Sequence, residues 1–200
     1  MKAVYLIGKD SIPEHIVLQA GESLDMTLLA LPDVSCDLAL RIDLMGEGAT
    51  ADLRGLYLCH DSEKVRISVD LRHISGGCTS HQNFRGIVGG NAVSEFYGLI
   101  YVKQDAQNTK AYQENHNILL SEHARVETKP QLEIYADDVE CSHGATIGRL
   151  NEDEQFYMRS RGIPEDEARV LQMISFISPI VEHLEDAELR EKVYESLSEC

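Results

Sequence analysis

Three runs of alternating apolar residues start 13–14 positions apart, and this spacing limits what the chain can fold into. Leu38, Leu40, Ile42 and Leu44 form the first, Ala51, Leu53, Gly55 and Tyr57 the second, and Val65, Ile67, Val69 and Leu71 the third. Alternation at period two turns one face of an extended segment toward a core. Evenly spaced short strands with no helices between them define an all-β architecture. Upstream, His15-Ile16-Val17-Leu18 and Leu24, Met26, Leu28 read as two further strands around a turn at Ala20-Gly21-Glu22. Downstream, the Gly89–Gly148 stretch continues the pattern through Phe96 to Val102, Ile118 to Leu120, and Leu132 with Ile134.

A meander or sandwich calls for tight hairpin turns such as Asn-Gly or Asp-Gly, and the sequence contains neither dipeptide. A solenoid calls for repeated runs, small residues at corners and polar side chains that stack from coil to coil. Gly76-Gly77-Cys78-Thr79-Ser80 and Ala106-Gln107-Asn108-Thr109 suit the solenoid, which is the preferred reading.

The texture changes at Leu150, dividing the chain into a β-rich core, 1–150, and a helical segment, 151–200. Asn151-Glu152-Asp153-Glu154 opens a first helix that stops at Gly162. Pro164 and the acids after it open a second, with Pro in the first position. Its apolar residues, Ala168, Val170, Leu171, Met173, Ile174, Phe176 and Ile177, make a face wider than one contact surface requires, so it is either sandwiched or docks a partner. Pro179 is expected to break or kink it. A third helix spans about Asp186 to Ser198.

The composition excludes several functions. Lys and Arg number 18 against 34 Asp and Glu, a net of −16, so the basic stripe that a nucleic-acid partner needs is missing. Residues 151–200 hold 13 of the acids and five of the bases, a charge excess that suits a solvated face or a basic partner. No apolar run has the length of a membrane span, and five widely spaced cysteines without a CxxC fit reduced thiols in the cytoplasm. Neither GxxxxGK[ST] nor a strand-borne GxGxxG occurs, so the chain is expected to bind no nucleotide itself.

The densest reactive cluster is Asp137-Asp138-Val139-Glu140-Cys141-Ser142-His143-Gly144. Cys141 and His143 are a soft and a borderline ligand, suited to iron, zinc or copper, but two ligands do not close a site. They could also make a nucleophile and base, although no orienting third group is identifiable. The plain alternative is a cysteine packed in a strand corner beside a histidine that caps backbone. His73, Cys78, Ser80 and His81 match no closed zinc pattern and read as a turn or a stacked polar ladder. His116 and His123 read as surface or ladder residues, and Cys36, Cys59 and Cys200 as structural or incidental.

GNAVSEFYG, AQNTKAYQENHNILLSEHARVETKPQLEIYADDVECSHGATIG and EQFYMRSRGI together resemble the SufB/SufD family, and SufD more than SufB. GEGATADLRGLYL and RHISGGCTSHQNFRG match the same family less densely, so the resemblance extends from about residue 14 onward. It implies a right-handed parallel β-helix followed by C-terminal helices. It also implies a non-enzymatic scaffold of iron–sulfur cluster assembly that pairs through its β-helix end with a SufB-type chain or with itself. The C-terminal helices would dock a SufC-type ATPase, which places Met173, Ile174 and Ile177 at that contact. The histidine of the CSHG motif, His143, would take part in holding a transient cluster or iron between subunits, with Cys141 beside it. The cysteine that SufB supplies from its own β-helix falls near Asn115, where this chain has none. The chain is short for the family, and the resemblance reads this as a missing or reduced N-terminal helical extension. The alternatives are an interaction β-helix without cluster chemistry, and a β-helix enzyme acting on polysaccharide or a left-handed acyltransferase. The calcium groove or strict six-residue repeats of that enzyme class are not evident.

Overall fold

A computed structural model describes residues 1–198. Eleven strands precede three helices. The strands are β1 Lys2–Leu6, β2 His15–Leu18, β3 Ser23–Ala30, β4 Cys36–Leu44, β5 Thr50–Cys59 and β6 Lys64–His73, followed by β7 Thr79–Val88, β8 Val93–Val102, β9 Thr109–Leu119, β10 Arg125–Ile134 and β11 Val139–Gly148. The helices are α1 Glu152–Ser160, α2 Glu165–Val181 and α3 Ala187–Leu197.

Odd-numbered strands build a six-stranded sheet in the order β1-β3-β5-β7-β9-β11, and even-numbered strands a five-stranded sheet, β10-β8-β6-β4-β2. All pairings are parallel. Each strand is therefore followed by one in the opposite sheet, and the chain winds as a parallel β-helix. Thr50 pairs with Thr79, and Cys36 with Val65, so one coil takes 29 residues there. The 13–14-residue spacing in the sequence is half a coil.

The alternation sets the inside. Met26, Leu28, Leu40, Ile42, Leu53, Ile67, Phe84 and Phe96 point between the sheets and are sealed from solvent. Phe84 and Phe96 meet across that gap with ring centroids 4.7 Å apart. Outside, the five-stranded sheet carries ion-paired rungs such as Asp37–Arg66–Glu95. The six-stranded sheet is polar outside at Asp25, Asp52 and His81, then apolar toward the strand ends at Leu29, Leu56, Leu58 and Ile87. That apolar half needs a cover, and α2 and α3 provide it with Met173, Ile177, Ile180, Val181, Val193 and Leu197.

The wide apolar face of α2 is thus covered except at Leu171. Met173 and Ile177 are buried against the sheet and Ile174 packs on the same cluster, which corrects their expected place at a partner contact. Arg85 fastens the join: its guanidinium lies 5.2 Å from the Phe176 ring centroid and donates to the Phe176 carbonyl.

Local chemistry sets the helix ends. Asn151 Oδ1 accepts from the amides of Asp153 and Glu154 at 2.9 and 3.1 Å, and Gly162 leaves α1 at φ 89°. Asp186 caps α3 in the same way, accepting from Glu188 and Leu189. Pro164 sits one position earlier than expected, at the cap itself. Pro179 does not end α2, which runs on to Val181. Proline deprives the Ser175 carbonyl of its amide donor. The Ser178 hydroxyl replaces it, donating to that carbonyl at 3.0 Å.

Candidate functional site at the open end of the β-helix

β11 is the last rung of the six-stranded sheet. Its register on β9 places Cys141 on Ala111, His143 on Gln113, Ala145 on Asn115 and Ile147 on Asn117. All four partners on β9 are buried residues of the interior. Cys141 and His143 therefore carry on inward-facing columns, but no coil follows to cover them.

The two side chains meet different surroundings. Cys141 is half-buried and packs on the Ile100, Val102 and Ala136 cluster. Burial pushes its thiol pKa up, against the opposing effect of the Ala111 backbone contact, so the neutral thiol is favoured. This matches a packed strand residue and disfavours a thiolate ligand. His143 is exposed at the open end. Among the described residues, Cys141 and His143 belong to no group of three or more close donor atoms, so a metal-holding set here would need further ligands from outside this chain.

Beneath this end lies a polar interior that strand periodicity alone did not reveal. Gln113 Nε2 donates to Gln82 Oε1 at 3.1 Å, and both residues are buried. Tyr57 Oη donates to Asn117 Oδ1 at 2.5 Å and accepts from Asn115 Nδ2 at 3.0 Å, while Asn117 Nδ2 donates to Asn115 Oδ1 at 2.8 Å. Burial, offset in part by the hydrogen bonds with Asn115 and Asn117, pushes the Tyr57 pKa up to about 12. Gln82 Nε2, Gln113 Oε1 and Ser94 Oγ have no protein partner. Two glycines make room for these groups. A Cβ at Gly98 would come within 2.2 Å of the Gln113 amide, and one at Gly86 within 2.0 Å of the Tyr57 ring.

The other histidines are dispersed. His73 is buried, 2.9 Å from Ser80 Oγ. Cys78 is buried at a corner, its sulfur 3.2 Å from the Gly46 carbonyl. His81 is exposed, stacked on Tyr112 and 3.1 Å from Asp52. His116 contacts Thr146 across the last rung at 2.8 Å, and His123 is exposed on a turn. Cys36 packs against the main core and Cys59 is buried within it, whereas Cys200 lies outside the described residues. Asn115, near which the resemblance puts the SufB cysteine, is sealed in the interior and donates to Tyr57 Oη.

A second feature stands on the helices. Phe156, Tyr157 and Leu171 are 73%, 60% and 46% exposed. Tyr157 and Leu171 border a cleft of about 640 Å³ between α1 and α2 that also takes in Leu150, Met158 and Phe176. No helix among the described residues is long and apolar enough to cross a membrane.

These features define a parallel β-helix with a helical flank and a histidine at its uncovered end. Residues 14–176 match the model of the SUF system FeS cluster assembly, SufBD core domain, and the chain belongs to that family. It is 41% identical over 150 residues to the iron–sulfur cluster assembly protein SufD of Escherichia coli, covering 75% of this chain and 36% of that protein. An iron–sulfur cluster assembly SufBD family protein of Synechocystis sp. is 41% identical over 131 residues, 66% of this chain and 28% of its own length. One of Mycobacterium tuberculosis is 27% identical over 195 residues, 94% of this chain and 46% of its own. The chain spans less than half the length of each of these relatives.

Proposed function

We propose that this chain is a scaffold subunit of a SUF-type iron–sulfur cluster assembly complex, acting in the reducing cytoplasm. It pairs through its open β-helix end with a SufB-type chain or a second copy, and a nascent cluster or iron is the cargo held briefly at that joint. The observation that carries this reading is the position of His143. It lies on an inward column, in register on Gln113, yet exposed because β11 is the last rung. An uncovered strand edge is a template for another chain. A partner abutting there would surround His143 and could add thiolate ligands suited to iron and sulfide. Cys141 is the lesser contributor, since burial favours its neutral thiol.

A SufC-type ATPase would dock on the exposed side of the helices, at Phe156, Tyr157 and Leu171, rather than on the face of α2 that covers the sheet. The exposed apolar area there supports this placement. Nucleotide chemistry belongs to that partner, and this chain transmits its movement and catalyses no step. A second reading, an interaction β-helix without cluster chemistry, draws on the packed, neutral Cys141.

Co-expression with SufC-type and SufB-type chains, followed by anaerobic purification, separates the two. The complex should carry iron and sulfide, and His143→Ala should assemble equally but carry less of both. Equal iron and sulfide in the variant would leave only the interaction reading.

A further inference from the structure

The turn between β5 and β6 holds a buried carboxylate with no Lys or Arg partner among the described residues. Glu63 is 6% exposed, and His60 is its one ion-pair neighbour among the described residues. Its Oε1 accepts from the amides of Asp33 and His60 at 3.1 and 3.3 Å, and Oε2 from that of Asp61 at 2.9 Å. Burial raises its pKa, but the surrounding amides, Asp61 first, outweigh burial and leave it lowered. The amides keep the group charged without cancelling the charge. A second carboxylate stands beside it, on Asp33 in the preceding coil, at the turn where the backbone takes φ 68°.

The third member is an imidazole whose inner nitrogen is unused. His60 Nδ1 is buried and makes no hydrogen bond, although it lies 3.3 Å from Glu63 Oε1. Two donors bound to zinc at about 2.0–2.1 Å, and separated by the tetrahedral angle, stand about 3.3–3.4 Å apart. One oxygen of Asp33, Nδ1 of His60 and one oxygen of Glu63 all lie within 4.8 Å of one another. Among the described residues no other group of three such donors comes this close. Buried charges are normally paired or bound to metal, and here the missing element is a cation that also accepts a nitrogen ligand.

We infer that Asp33, His60 and Glu63 form a binding site for a divalent ion of the zinc type. One imidazole and two carboxylates make a borderline donor set that suits zinc or cobalt(II) and lacks the thiolate that copper(I) prefers. Asp33 and Glu63 belong to successive coils, 30 residues apart in the chain, so the ion ties two coils together. The site is remote in sequence from Cys141 and His143 and does not depend on the proposed assembly role.

The test titrates the metal-stripped full chain with Zn²⁺ by calorimetry and with Co²⁺ by absorption. Expected are one saturable ion per chain, a rise in melting temperature, and a cobalt spectrum without an intense thiolate charge-transfer band. His60→Ala and Asp33→Asn should each weaken binding by about tenfold or more. Both leave in place the Glu63 carboxylate that holds the turn, and asparagine tolerates the left-handed backbone at position 33. Circular dichroism checks that each variant is folded, and His123→Ala should bind as the parent does. The site is refuted by no saturable binding, by a thiolate band, by unchanged affinity in the folded His60 and Asp33 variants, or by loss of the ion in His123→Ala.

Discussion

Gln113 and His143 occupy neighbouring rungs of one inward-facing column, the first sealed in the interior and the second exposed. The same orientation thus has opposite consequences, depending only on whether another coil follows. Gln113 is held by Gln82 below it, while His143 has an open side to offer a partner. An exposed histidine on an inward column is ligand-capable because the coil ends there.

Cys141 and His143 should separate in experiment. Cys141→Ala removes a half-buried sulfur from the Ile100–Val102 cluster and should cost about 1 kcal/mol of stability. If the proposed cargo site centres on His143, iron and sulfide in the assembled complex should stay near the parent's level. Urea denaturation and iron quantification on the same preparation check both statements. A fall in iron as large as that in His143→Ala would make the cysteine a ligand.

The polar interior should be costly to disturb. Tyr57→Phe removes one hydroxyl but leaves Asn117 Oδ1 and Asn115 Nδ2 short of a partner in a sealed space. An orphaned buried polar group costs about 1–3 kcal/mol, so the urea midpoint should drop with an unchanged slope. Gly86→Ala adds a carbon 2.0 Å from the Tyr57 ring and 2.5 Å from Asn117 Oδ1. Overpacking of this kind costs about 1–3 kcal/mol or more.

His73 should give the fold a measurable sensitivity to acid. Burial pushes its pKa down from 6.5 to about 4. Between those values the unfolded chain takes up a proton that the folded chain refuses, so stability falls as the pH falls. The loss attributable to this group is about 3 kcal/mol by pH 4. His73→Gln cannot titrate, and its denaturation midpoint should fall less than the parent's between pH 7 and 4. Parallel pH profiles for the two proteins would show that His73 is not held neutral.

The coil was legible in the sequence because Leu38 to Leu44, Ala51 to Tyr57 and Val65 to Leu71 alternate without interruption. The helix ends were legible too, since Asn151, Gly162 and Asp186 act through their own backbone or the next few residues. Pro179 did not end α2 because the Ser178 hydroxyl takes over the Ser175 carbonyl. The face of α2 was ambiguous because its cover, Leu29, Leu56, Leu58 and Ile87, comes from three distant strands. Cys141 and His143 stood out as a motif, but their unequal burial follows from β11 being last. Asp33, His60 and Glu63 become visible only when the chain is folded at the coil repeat, which brings turns about 30 residues apart together.

The two sides of α2 should respond differently to charge. Ile177 is buried among Leu56, Leu58 and Ile87, in the cluster that joins helix to sheet. Ile177→Ala should cost about 2–5 kcal/mol, and Ile177→Asp should prevent stable folding of the helical segment. Leu171 on the other side of α2 and Phe156 on neighbouring α1 stand outward and support no core. Leu171→Asp and Phe156→Asp should therefore leave the thermal midpoint within a few degrees of the parent's, as surface changes do. If the exposed patch receives the ATPase, those same substitutions should reduce its co-purification severalfold. Undiminished recovery of the ATPase with both folded variants would move the contact away from Phe156 and Leu171, while a drop in thermal stability would mean that these residues pack inward.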